Sequence, residues 1–249
     1  MENNDQQFPT TIRIGILVFP NFEPLDVWGF VQAFSIARFL GKPYQTQAGG
    51  PGQAPLLPSP FPFEVLFISN ADSDTHAAGV RPPPVRSFNG PRVAPDLYRD
   101  EALGANIDML MIPGGAGVYE ILDTSPPAPH GVARLCEWVR AMDKKTSLTT
   151  SVCTGAAILA KSGLLDGKPA ATNHQAFDWV RTFGPLVLWD NVARWVDAGR
   201  YVTSAGVSAG TDMAFYLLSR LAGRAVAEAA VLAAEYDWRR DPQQPIYYP

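Results

Sequence analysis

The chain reads as one α/β domain built on a mainly parallel sheet. Three observations predict this. Short apolar runs such as Ile12 to Phe19 and Asp108 to Ile112 suit strands covered on both faces. Segments with helical spacing alternate with such runs along the whole chain, as in βα units. The composition, 47% hydrophobic over 249 residues, is ample for one core and well outside the disordered class.

The elements follow in order. Ile12 to Phe19 is the first strand, ended by Pro20 and Asn21. Pro24 to Leu40 places Leu25, Trp28, Val31, Phe34 and Ile36 at roughly helical spacing. From Gly41 to Pro62 the chain turns rich in glycine and proline, which predicts a long irregular excursion on the surface. Phe63 to Ser69 is a second strand. The loop from Asn70 to Pro84 is an insertion and not a linker, because the strands after it need the same sheet. Asn89-Gly90 is a turn signal for a short hairpin ending near Val93. Asp108 to Ile112 is a buried strand running into Pro113-Gly114-Gly115-Ala116-Gly117. Pro127 to Met142 is a helix with Val132, Leu135, Trp138 and Val139 on one face. Ser147 to Val152 is a strand, and Thr154 to Ser162 is a helix stopped by Gly163. Pro169 to Thr172 is a short strand, followed by a helix over Gln175 to Phe183. Leu186 to Leu188, Val192 to Val196 and Tyr201 to Ser204 are short strands. Gly206 to Leu221 and Arg224 to Tyr236 close the chain as helices. The organisation expected is a flexible N-terminus (1–11), one domain (12–242) carrying the 41–62 insertion, and a C-terminal tail (243–249).

A net charge of −4 without any lysine or arginine run argues against nucleic acid as a partner. Two cysteines, Cys136 and Cys153, make no disulfide framework. The first residues carry no basic and then apolar leader, and no apolar run reaches bilayer length, so a reducing cytoplasm is the expected setting and no membrane partner is expected.

Cys153 is the first candidate for chemistry. It sits where a β-branched strand changes into a helix, facing that helix's unpaired N–H groups, which favour thiolate over thiol. A thiolate there is a candidate nucleophile. The plainer reading is a small buried hydrophobe, and Cys136, within a helix, is taken that way. Asp26 falls at the start of the first helix, just past the carboxyl end of the first strand. It is either an N-terminal charge favoured by the helix dipole or a carboxyl group at the sheet edge where open α/β folds bind ligands. Gly114 and Gly115 let backbone come close to a ligand, or simply make a tight turn; without a following Lys-Ser/Thr they are not a phosphate loop. If these loops meet, the N–H groups of Gly115 and Thr154 can face charge developing on a substrate. A carboxyl group beside a thiolate has its pKa raised, so a protonated Asp26 can donate a proton and later take one from water.

Four stretches in order carry a resemblance: Phe19-Pro20-Asn21-Phe22-Glu23-Pro24-Leu25-Asp26, Ile112-Pro113-Gly114-Gly115, Ser151-Val152-Cys153-Thr154-Gly155, and Ser204 to Asp212. Together they resemble the ThiJ/PfpI superfamily, over about Ile12 to Pro242, and within it most nearly the isocyanide (isonitrile) hydratase branch. The resemblance implies a three-layer sandwich of the class I glutamine amidotransferase type, with the cysteine on a nucleophile elbow. It implies Cys153 as nucleophile, Asp26 as its acidic partner, Thr154 as the hydroxyl beside it, no cofactor, no metal and a homodimer.

Asp26 in place of glutamate and Thr154 in place of histidine are the hydratase pairing. The late histidine of an amidotransferase triad is absent, since the histidines are His76, His130 and His174. No appended helix-turn-helix domain is expected. Three features depart from the family pattern: Gly29-Phe30 after the acidic residue, Asn173-His174 where a Thr-His pair is usual, and the Gly/Pro-rich excursion. His174 ranks as at most a supporting group, and Asp212 as structural. The expected activity is hydration of an isocyanide to an N-substituted formamide. The alternatives are glyoxalase III-like chemistry, a natural-product tailoring step on the same cysteine, or a non-enzymatic redox or ligand sensor.

Overall fold

A computed structural model describes residues 11–37, 62–75, 79–122 and 131–244. The 41–61 part of the expected excursion, residues 1–10 of the expected N-terminal segment, residues 245–249 of the tail, and His76 and His130 lie outside them.

The first half runs β1 (Ile12–Val18), α1 (Pro24–Ser35), β2 (Phe63–Ser69), a two-residue hairpin of β3 (Val85–Arg86) and β4 (Arg92–Val93), α2 (Arg99–Gly104), β5 (Met109–Ile112) and α3 (Ala116–Leu122). The second half continues with α4 (Gly131–Asp143), β6 (Leu148–Val152), α5 (Ala156–Lys161), β7 (Pro169–Ala171), α6 (Phe177–Val180), β8 (Leu188–Asp190), β9 (Trp195–Ala198), β10 (Tyr201–Ser204), α7 (Ser208–Ala222) and α8 (Arg224–Ala233). Six strands form the central sheet in the order β2-β1-β5-β6-β10-β9, parallel except for β9 against β10. One helical layer joins α1, α7 and α8; the other joins α3, α4 and α5.

The predicted α/β fold is therefore the one observed, and its reason is burial. Ile14, Ile16, Leu17 and Val18 of β1 and Leu110, Met111 and Ile112 of β5 have no exposed surface. Such strands survive only with helices on both sides. The register brings Ile112 opposite Ser151 and Val152 opposite Ser204. The carboxyl ends of β5, β6 and β10 are thus level, and the loops leaving them gather at one edge of the sheet.

Some boundaries differ from the sequence reading, each for a local reason. The expected helix over Gln175 to Phe183 is split into α6 and a 3-10 turn at Arg181–Phe183. The strand expected from Val192 starts only at Trp195, because Asp190 Oδ1 accepts from the amides of Val192 and Ala193, both at 2.8 Å, and holds a turn there. The helix expected to begin at Thr154 begins as a 3-10 turn over Cys153–Gly155 and becomes α-helical at Ala156. Helices α2 and α3 have too few residues to declare a period. Phe30 is fully buried in the core, 5.1 Å from the Phe34 ring, so the departure at Gly29-Phe30 is absorbed into packing between α1 and α7.

Candidate functional site

The β1–α1 loop is held against the turn after β5. Glu23 caps α1, its carboxylate accepting from the Leu25 amide at 3.4 Å, with Pro24 following in the first helical turn. Its own amide donates to the Gly114 carbonyl at 2.8 Å. Gly115 has φ +119°, and a Cβ there would stand 2.3 Å from the Glu23 nitrogen. Only glycine permits this approach. The clamp sets Asp26, in the first turn of α1, beside Gly114, whose amide donates to Asp26 Oδ2 at 2.8 Å.

Cys153 follows β6 with φ +58°, a left-handed conformation that costs a non-glycine residue about 1–3 kcal/mol. Three contacts around it hold the strained turn. Its amide donates to the Ala205 carbonyl at 3.1 Å, and its carbonyl accepts from Thr172 Oγ1 at 2.9 Å. The Asn173 side-chain amide donates to Sγ at 3.2 Å, while Asn173 Oδ1 accepts from the Ala176 amide at 3.0 Å. Thr154 Oγ1 accepts from the Gly115 amide at 3.1 Å. Gly114 is packed so close to this turn that a Cβ on it would lie 2.8 Å from Cys153 Cβ.

Burial governs the electrostatics. Asp26 has no exposed surface, and desolvation pushes its carboxyl group up to about 8 despite the Gly114 hydrogen bond; the charge of Glu23 adds to the rise. The cause differs from the one expected, which was a neighbouring thiolate. Oδ1 of Asp26 is buried and, among the described residues, has no hydrogen-bond partner.

Burial works against the expected thiolate. Burial pushes the Cys153 thiol up to about 12, and negative charge on Asp26 adds to it, against the Thr154 amide, Asn173 and the Thr154 hydroxyl. The helix that follows has only six residues, too short a dipole to offset desolvation. Because the Asp26 carboxyl is mostly protonated at neutral pH, its opposition to the thiolate is largely removed there.

The thiol opens into a cavity of about 380 Å³ lined by Glu23, Gly115, Tyr119, Cys153, Thr154, Asn173, Gln175, Ala176 and Val207. Asp26 is not part of the lining. Tyr119 forms one wall and stacks on Trp179 with ring centroids 4.0 Å apart. Among the described residues no group of three or more histidine, cysteine or acidic side chains could hold a metal ion.

The DJ-1/PfpI family pattern matches residues 60–220. This chain belongs to the DJ-1/PfpI family. It is 27% identical over 225 residues to the isonitrile hydratase of Pseudomonas putida, covering 90% of this chain and 78% of that protein. It is 24% identical over 146 residues to the glutathione-independent glyoxalase DJR-1.2 of Caenorhabditis elegans, covering 59% of this chain and 72% of that one. A crystal structure of a ThiJ/PfpI family protein from Pseudomonas syringae superposes with a TM-score of 0.62 at 22% identity, over 95% of this chain and 81% of that one, and supports the fold.

Within this DJ-1/PfpI fold, the residues singled out in the sequence are distributed as follows. Cys153, Thr154 and Gly115 line the cavity, with Asp26 and Gly114 immediately behind them. The Gly114 amide is taken by Asp26 and the Gly115 amide by Thr154, so in this state neither turns toward the cavity as an oxyanion donor. His174 is outside the lining, with Nε2 3.3 Å from the Ala193 carbonyl. Asp212 is fully buried in an ion pair with Arg194, a structural place as expected. Sequence reasoning missed Glu23 as a wall of the cavity and Asn173 as the donor to sulfur. Asn173 was visible only as a departure from Thr-His, and Glu23 only as the residue before a proline at a helix start.

Proposed function

We propose that the protein is a cofactor-free, cysteine-dependent isonitrile hydratase. The observation that carries this reading is the pairing of a strained, cavity-facing Cys153 with a buried carboxyl group that is protonated near neutral pH and has one oxygen unpartnered. Hydration of an isocyanide needs a nucleophile and a proton delivered to the same terminal carbon; Cys153 supplies the first at the cavity wall, and Asp26, held behind it on Gly114, supplies the second once its unpartnered Oδ1 is opened to the cavity.

In the proposed sequence Asp26 gives its proton to the isocyanide carbon while Cys153 sulfur bonds to it, and the thiol proton passes to the carboxylate just formed. The product is a thioimidate, R–N=CH–S. Asp26 then protonates the imidate nitrogen as water adds to the carbon, and recovers a proton from that water. The C–S bond breaks, sulfur keeps the bonding pair and takes the hydroxyl proton, and R–NH–CHO leaves. Thr154 and Asn173 stabilise the sulfur as it carries negative charge. Similarity to the Pseudomonas putida hydratase, together with Asp26 and Thr154 in the hydratase pairing, supports the same assignment.

The alternatives fit the site less well. A glyoxalase-like reaction would ask Asp26 to take a proton from carbon, and the similarity to a glyoxalase covers 59% of this chain against 90% for the hydratase. A redox sensor needs an exposed, readily ionised thiol, and Cys153 is only 6% exposed with its pKa pushed up. For a homodimer, the support is the apolar outer face of α1, where Leu25 and Trp28 are partly exposed.

The test is to incubate the purified protein with cyclohexyl isocyanide and, separately, with methylglyoxal. The expected outcome is N-cyclohexylformamide, detected by NMR, with no lactate, and loss of turnover in Cys153→Ala. Lactate without formamide, or full turnover in Cys153→Ala, overturns the proposal.

A further inference from the structure

The cavity contains a group that addition of water to a carbon does not require. Among the described residues of its lining, Glu23 is the one that carries a charge. Two of the other polar groups are committed. Asn173 spends its amide on Cys153 and its oxygen on Ala176, and Thr154 is engaged by Gly115. Among the described residues no lysine or arginine pairs with Glu23, and its carboxylate receives only the long contact from the Leu25 amide. A capping role explains one oxygen at most, and a short neutral residue would cap as well.

A second carboxylate is attached to the same loop. Glu120, outside the lining, accepts from the Asn21 side chain at 2.9 Å in the loop that carries Glu23. Asp26 contributes little charge near neutral pH because it is mostly protonated. Facing this acceptor are neutral groups, Gln175, Val207 and the Tyr119 ring. A substrate with a carboxylate or phosphate would meet repulsion and find no counter-charge among the described residues of the lining, whereas one bearing a positive nitrogen would find both an anion and an aromatic wall.

We infer that Glu23 is a specificity-determining residue that selects electrophiles carrying an ammonium or other cationic nitrogen a few atoms from the reacting carbon. This rests on the hydratase reading for the identity of the electrophile, but the binding preference is independent of it. Because the carboxylate is partly hydrated at the cavity wall, the gain over an uncharged isostere is modest, roughly five- to tenfold, and decreases as salt rises.

Two measurements test it. The first compares kcat/KM for three alkyl isocyanides of matched length, ending in a protonated dimethylamino group, an isopropyl group and a carboxylate. The expected order is cation, neutral, anion, and Glu23→Gln, which preserves shape and capping oxygen, brings the cation-to-neutral ratio close to one whatever its effect on each rate. The second measures binding of n-butylammonium and butanoate to Cys153→Ala by calorimetry, with and without Glu23→Gln. Tighter binding of the ammonium that disappears with Glu23→Gln supports the inference even if no isocyanide is turned over, in which case the hydratase reading alone fails. Equal or undetectable binding of the two ions, or a cation preference that survives Glu23→Gln, overturns it.

Discussion

The side-chain amide of Asn173 donates to the sulfur of Cys153 at 3.2 Å, and the same side chain is fixed from its other end by the Ala176 amide. A donor to sulfur favours the thiolate, so it works against the burial that pushes this thiol up to about 12. Asn173→Asp keeps the acceptor for Ala176 and removes the donor. The expected outcome is a still higher thiol pKa and alkylation by iodoacetamide at pH 8 slowed about tenfold or more, read by mass spectrometry of the modified protein. An unchanged rate would mean that this contact does not act on the thiolate.

Asp26 ties activity and stability to pH in opposite ways for its two protonation states. If its proton is needed, turnover falls as pH rises through about 8, and Asp26→Asn loses about 10²- to 10⁴-fold. The stability effect follows from linkage. The unfolded carboxyl titrates near the ordinary aspartate value of 3.8, the folded one is pushed up to about 8, so between these values the native state binds the extra proton. Stability contributed by this group is therefore full below the lower value and is lost as pH rises toward the upper one. Asp26→Asn, neutral at all pH, is expected to be more stable than the parent at pH 8 by about 1–3 kcal/mol and to show little advantage at pH 4. Urea denaturation at the two pH values measures this.

What the sequence revealed and what it hid divide along physical lines. Strand β2 was read to its observed limits because an apolar run bounded by prolines and polar residues has little freedom to move. Cys153 was found because a period change within two residues leaves a mark in the chain. The burial that opposes its ionisation was not legible, because desolvation depends on what packs above the thiol, and no local pattern reports that. Asp26 was legible as an acid at a sheet edge, but its neutral state comes from complete burial in the assembled fold. Glu23 and Asn173 act through neighbours 92 and 20 positions away, Gly115 and Cys153, and such contacts have no local signature.

Gly115 gives a sharp test of the loop clamp. Its φ of +119° is strained for any side chain, and the atoms a Cβ would meet are the Glu23 nitrogen at 2.3 Å and the Asn21 oxygen at 2.7 Å, both backbone. Neither can swing aside. Gly115→Ala is expected to cost about 2–4 kcal/mol and lower the Tm by about 5–15 °C, with turnover reduced further because Glu23 and Asp26 move with the loop. Thermal melts followed by circular dichroism would check the first part. A Tm within 2 °C of the parent would show that the clamp is looser than its geometry implies.

The ion pair between Arg194 and Asp212 supports the cysteine turn from the other side. Both side chains are almost fully buried, and Asp212 Oδ1 also receives the Tyr236 hydroxyl and the Arg239 amide, each at 3.0 Å. The Arg194 carbonyl accepts from the Ala205 amide at 2.8 Å, and the Ala205 carbonyl accepts from the Cys153 amide. Removing one partner leaves a buried charge uncompensated, so Asp212→Ala is expected to cost about 3–5 kcal/mol. Replacing both, as in Arg194→Met with Asp212→Asn, removes the charges together while the amide oxygen still accepts from Tyr236 and Arg239, and is expected to recover most of that loss in urea denaturation. The backbone bonds to Ala205 remain in the double variant, so it should also regain iodoacetamide reactivity at Cys153 close to the parent's. Recovery of stability without recovery of thiol reactivity would show that the charges themselves, and not only the backbone they brace, set the environment of the sulfur.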